Sequence, residues 1–103
     1  MTSTPFTIGE TVIDRDTSIA PLVVVVAMPE TPASDWLTYG GHTVASSNPK
    51  YPAEAPTVVV VYADDVPTYL SEWDEETPLT EADLQERGIY YEGYPAPRLT
   101  SVE

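Results

Sequence analysis

"PLVVVVAMPE", Pro21–Glu30, and "PTVVVVYADD", Pro56–Asp65, decide how this chain folds. Each holds four consecutive valines close behind a proline, and the second run follows the first at a period of 35 residues. A strand with one wet face alternates apolar and polar residues, whereas four valines in a row bury both faces. β-branching, short length and the flanking prolines disfavour a helix. Residues 22–27 and 57–63 are therefore expected as central strands, neighbours in one sheet. The remaining residues do not repeat at this period, so convergence on a core strand explains the pair better than duplication. Exposed, such runs would aggregate; the prolines before them and the acids after them act as gatekeepers. One face packs inward and the other needs a cover.

The natural cover follows the second run. In "DDVPTYLSEW", 64–73, Val66, Tyr69, Leu70 and Trp73 form one apolar helical stripe. Asp64 or Asp65 can cap this helix, and Pro67 sits where a first turn tolerates proline. The helix then runs into the acids 74–76, which oppose its dipole. A second short helix starts at Thr80 as N-cap, with Asp83 at N3 and Leu79 and Leu84 as a hydrophobic staple. Arg87 closes its last turn, and Gly88 takes the left-handed position beyond it.

The other elements are shorter. "PFTIGETVIDRD", 5–16, reads as strand, tight turn or bulge at Gly9-Glu10, strand. Gly40-Gly41 turns into a short strand at 42–45, and "NPKYPAEAP" runs extended through Pro49, Pro52 and Pro56. "IYYEGY", 89–94, reads as a final strand. Residues 1–4 are expected as a flexible tail, 5–94 as one globular domain and 95–103 as an extended C-terminal arm.

"FTIGETV", Phe6 to Val12, resembles the opening of SH3-like small barrels, the KOW type included. The resemblance implies a first strand kinked at its Gly-acid step, with the following valine pointing into a barrel. For the KOW type it also implies ribosomal or transcription-associated nucleic-acid binding, from which this chain departs by lacking basic residues. The valine runs, "NPKYPAEAP" and the closing "YPAPRL" resemble the small acidic proteins of unassigned function from halophilic archaea. That likeness implies a salt-rich cytoplasm. The expected fold class is α+β: a small twisted, mainly antiparallel sheet or open SH3-like barrel of about five strands with two short helices.

Charge narrows the function classes. Seventeen acids face four bases among 103 residues, a formal net charge of -13. Free nucleic acid is a poor partner, because phosphate binding needs a basic footprint. Adaptation to concentrated salt explains the imbalance, since at about 1 M salt the Debye length falls near 3 Å. There is no cysteine, hence no disulfide or thiolate metal site. No apolar run approaches the roughly 20 residues a membrane helix needs. The first ten residues lack the basic and apolar regions of a signal peptide.

No catalytic motif stands out. His42 is a lone histidine, better read as an exposed hairpin residue than as a metal ligand. The acids around 72–76 lack the glycine and alternation of a calcium loop. Asp14-Arg15-Asp16 reads as a local surface ion pair. The aromatic residues carry more: Trp36, Tyr39, Tyr51, Tyr90, Tyr91 and Tyr94 exceed what one small core needs. Tyrosine and tryptophan suit surfaces with an apolar body and a polar rim. Trp36, Tyr39, Tyr90 and Tyr94 are the interaction candidates. The expected function is that of a non-enzymatic, salt-adapted cytoplasmic module. It binds a protein partner, a second copy of itself included, through apolar and aromatic surface. No cofactor, metal, membrane or direct nucleic-acid partner is expected. The alternative is a nucleic-acid mimic or inhibitor, presenting the acidic stretch 64–86 to a basic nucleic-acid-binding partner.

Overall fold

Both valine runs are strands, and they lie side by side. The computed structural model describes residues 6–16, 19, 21–29, 31–37 and 41–102; the expected tail at 1–4 and Tyr39 lie outside them. Strand β2, Leu22–Ala27, pairs antiparallel with β3, Thr57–Tyr62, setting Val24 against Val61 and Val25 against Val60. Strand β1, Thr11–Asp14, flanks β2, and β4, Glu92–Pro95, flanks β3. Strand β5, Leu99–Ser101, adds to β1, giving the order β4-β3-β2-β1-β5.

The two edge strands are consecutive in the chain, joined only by a 3₁₀ turn at Ala96–Arg98. Four interstrand steps of about 4.8 Å would hold the edges of a flat sheet about 19 Å apart. The link from Pro95 to Leu99 reaches at most about 14 Å. The sheet must therefore coil so that its edges converge. This is the small α+β domain with an open antiparallel sheet that the valine pattern anticipates. The closing segment, expected as an extended arm, instead makes a 3₁₀ turn and then pairs as β5, with Ala96 and Leu99 buried in the inner core.

Coiling separates two cores. Val23, Val25, Val58 and Val60 face inward with Val12, Ala96 and Leu99. Val24, Val26, Val59 and Val61 face outward against Leu70, Leu79, Leu84, Ile89 and Tyr91. The alternation is the period-2 geometry of a strand, and every valine of both runs is at most 7% exposed. Burial of each side chain contributes roughly 1.5–3 kcal/mol. The chain thus covers both faces itself.

Three short helices contribute to the outer cover, one more than the two anticipated. Helix α3, Glu81–Arg87, matches its sequence signals: Thr80 and Asp83 form a reciprocal capping box, and Gly88 ends the helix at φ 70°. Helix α2, Val66–Tyr69, is shorter than the apolar stripe. A 3₁₀ turn at Ala63–Asp65 leads into it, and neither Asp64 nor Asp65 caps it with a side chain. Leu70 is buried just past its end, while Trp73 packs half-buried on the outer core and its indole N–H donates to the Thr77 carbonyl at 2.8 Å. The acids 74–76 therefore oppose no helix dipole. They form a turn in which the Asp74 carboxylate accepts the N–H groups of Glu76 and Thr77. Those bonds hold its carboxyl below the usual range. Gly9, at φ 89°, closes against this turn, where a Cβ would lie 2.2 Å from the Glu75 carbonyl oxygen.

Helix α1, Val44–Ser47, replaces the strand expected at 42–45. Thr43 makes only an isolated bridge to Leu37, and its hydroxyl then accepts the Ser46 N–H. That cap starts a helical turn and buries Val44 in the outer core. Among the described residues no helix is long and apolar enough to cross a membrane.

Candidate functional site

The β3–β4 register builds the site. Val58 stands opposite Tyr94 and Val60 opposite Glu92. Two residues further along the same register, Tyr62 meets Tyr90, and their rings stack at 5.9 Å with planes 14° apart. By strand parity these residues share the side of Val58 and Val60, where the inner core ends and tyrosines continue it outward. Tyr62 and Tyr90 are 43% and 41% exposed, while Tyr94 is half-buried. The Tyr90 hydroxyl donates to the Glu92 carboxylate. The cleft between these side chains is shallow, with a volume of ≈10 Å³ above Val23 and Val60. Burial pushes the Glu92 carboxyl above its ordinary range, Asp14 adding to and Arg98 opposing the shift. Burial, reinforced by the Glu92 charge, pushes the Tyr94 phenol up to about 12.

A guanidinium borders this surface. Arg98 lies over the Tyr94 ring, 4.3 Å from its centroid. Its Nε and second terminal nitrogen donate to the two Asp14 oxygens at 2.7 and 2.8 Å. Its remaining terminal nitrogen donates to Asn48 Oδ1 at 2.6 Å, and Asn48 Nδ2 donates to the Val44 carbonyl. Asp14 and Asn48 are both buried. The hydrogen bonds that Arg98 donates to Asp14 hold its pKa above its ordinary value. Asp16 receives Lys50 at 3.2 Å and the Tyr51 hydroxyl at 2.9 Å. Its own partial desolvation is outweighed by these bonds, so its carboxyl titrates below the usual range.

This arrangement corrects the reading of Asp14-Arg15-Asp16 as a local pair. Asp14 pairs with Arg98 in the turn that leads into the neighbouring strand β5, and Arg15 donates instead to the Pro97 carbonyl at 3.2 Å. Three of the chain's four basic residues thus gather at one place.

Of the interaction candidates, Tyr90 and Tyr94 come together. Trp36 lies elsewhere, 8% exposed in the outer core, its ring edge-on to Tyr91 at 6.4 Å and 75°. It also lines an apolar groove of ≈430 Å³ with Met28, Pro29, Pro78 and Leu79. Tyr39 falls outside the described residues. Sequence reasoning missed Tyr62, Glu92 and Arg98. Tyr62 carried a signal, since it follows the second valine run at the parity of Val58 and Val60. Among the described residues, no three His, Cys, Asp or Glu side chains group to hold a metal ion.

Fold and site together define a small antiparallel α+β domain with an exposed, acid-flanked tyrosine surface. No protein-family model, curated protein or solved structure matches the chain.

Proposed function

We propose that this domain is a non-catalytic protein-interaction module of a salt-rich cytoplasm, and that the Tyr62–Tyr90–Tyr94 surface is its contact face. The observation that carries the reading is the stack of Tyr62 on Tyr90, both more than 40% exposed where the inner core reaches the surface. Tyrosine presents a rigid apolar body at low entropic cost and a hydroxyl for the polar rim. Contact of this kind survives concentrated salt, which screens charge attraction to within a few ångströms. Direct nucleic-acid binding is not part of the proposal, because four basic residues face seventeen acids and two of them, Lys50 and Arg98, are paired with Asp16 and Asp14.

The test is affinity capture in molar KCl with the wild type and a Tyr62→Ser/Tyr90→Ser variant. Both rings are exposed, so the variant is expected to keep its circular dichroism and melting temperature. The wild type should retain a discrete partner, or a second copy of itself by sizing, that the variant loses. Identical retention by two folded proteins would sink the proposal.

A further inference from the structure

We propose that the side chain received by this tyrosine surface is an arginine, presented by a basic segment of a partner protein; the inference rests on the interaction reading above. Four features of the surface converge on it. First, the molecule already places a guanidinium on one ring of the set, Arg98 over Tyr94 at 4.3 Å. Second, the neighbouring Tyr62–Tyr90 pair offers a near-parallel, exposed aromatic plane, the geometry on which a planar cation stacks. Third, the Glu92 carboxylate is half-buried beside that plane. Tyr90 donates to it, yet among the described residues it has no ion-pair partner. A guanidinium lying on Tyr90 would give this carboxylate a charge-assisted pair. Fourth, a net charge of -13 is complementary to a cationic group at contact distance, within the few ångströms that screening leaves.

The shape of the site agrees. A cleft of ≈10 Å³ is too shallow to enclose a small molecule, so a group received here must lie across its rim. Arginine is preferred to lysine because its fork is planar, stacks on aromatic faces and pairs two oxygens at once.

The experiment titrates the full chain into fluorescein-labelled basic peptides and reads anisotropy at 0.15 M and 2 M KCl. Three peptides of one sequence carry arginine, lysine or neutral citrulline at the same positions. The arginine peptide should bind best, and its preference over lysine should persist at 2 M KCl. Tyr62→Leu and Tyr90→Leu change no charge, and each should weaken arginine binding about fivefold. Tyr90→Phe keeps the ring and should keep the preference; Glu92→Gln should weaken binding. Circular dichroism establishes that each variant is folded. Equal binding of arginine and lysine, or wild-type affinity in the leucine variants, would mean diffuse attraction to an acidic protein and would overturn the inference. If the peptides ignore the tyrosines while capture in molar salt still depends on them, the arginine inference fails and the interaction reading stands. If neither depends on them, both fail. A wild-type dimer that Tyr90→Leu dissociates would identify a second copy as occupant and likewise overturn the inference.

Discussion

Asp14 and Arg98 stand 84 positions apart in the chain and 2.7 Å apart in space. No local pattern announces such a pair, and the neighbour that sequence suggested, Arg15, turns to a backbone carbonyl instead. The pair joins β1 to the turn between β4 and β5, and Asn48 extends it to the loop after α1. Because Asp14 is 2% exposed, removing Arg98 takes the ion pair from a buried carboxylate, to which the Asp16 N–H also donates. Arg98→Met should therefore cost about 3–5 kcal/mol in urea unfolding. Asp14→Asn in the same chain should return part of that loss; a near-neutral Arg98→Met would show the pair to be incidental. Tyr94 supplies a second test at this scale. Its phenol is held up to about 12 in the folded chain, above the ordinary 10.0, first by burial. A group raised on folding contributes stability that is complete below its unfolded pKa and lost as pH rises through its folded one. The wild type should thus lose stability between about pH 10 and 12, and Tyr94→Phe should lose less over the same window. Parallel losses in the two chains, followed by chemical denaturation at fixed ionic strength, would contradict the burial of this hydroxyl.

Legibility changes from one element to the next, and the reason is physical. The valine strands were readable because eight β-branched residues in two runs leave a strand no other conformation to prefer and no face to expose. Helix α3 was readable because its start and stop are written in side chains within a few residues of each other: Thr80, Asp83 and Gly88. Helix α1 was not, since "VASS" has no helical period and stands on one cap and one buried valine. The apolar stripe 66–73 named Val66, Leu70 and Trp73 rightly as cover, but it also named Tyr69, which is 43% exposed, and gave the wrong length. Leu70 and Trp73 do pack on the outer core, but from a bend after one helical turn. The tyrosine surface was half legible: Tyr90 and Tyr94 were in view, whereas Tyr62 joins them only through the β3–β4 register. Two predictions belong to elements. Thr80→Ala removes half the capping box and should cost about 1 kcal/mol, measured as a shifted urea midpoint at constant slope. Val24→Lys and Val25→Lys point to opposite cores, so both should unfold the monomer by circular dichroism. A folded, smaller species from either one would place another chain on that face.

At the scale of the whole molecule, charge is the unbalanced quantity. Three of the four bases are spent around Asp14 and Asp16, so they neutralise little of the remaining surface. Nine of the 17 acids fall in residues 64–86, the segment whose Leu70, Leu79 and Leu84 seal the outer core. The cover of the hydrophobic core is thus also the most self-repelling part of the chain, with Arg87 as its nearest base in sequence. Successive acids such as those at 74–76 lie closer together than the Debye length of about 8 Å at 0.15 M salt. Physiological ionic strength therefore leaves their repulsion largely in place, and about 1 M salt, with a Debye length near 3 Å, removes most of it. Repulsion falls more heavily on the compact state than on the expanded one, so screening should favour folding. The melting temperature should rise steadily from dilute to multimolar KCl and keep rising beyond 0.15 M. Replacing Glu72, Glu75 and Glu76 together by glutamine should raise the low-salt melting temperature and flatten that slope; Asp74 is left alone because its carboxylate holds the turn. A melting temperature that stays flat or falls with added KCl would mean that the acids of 64–86 do not strain the fold, and the proposal of a salt-rich working environment would lose its physical basis.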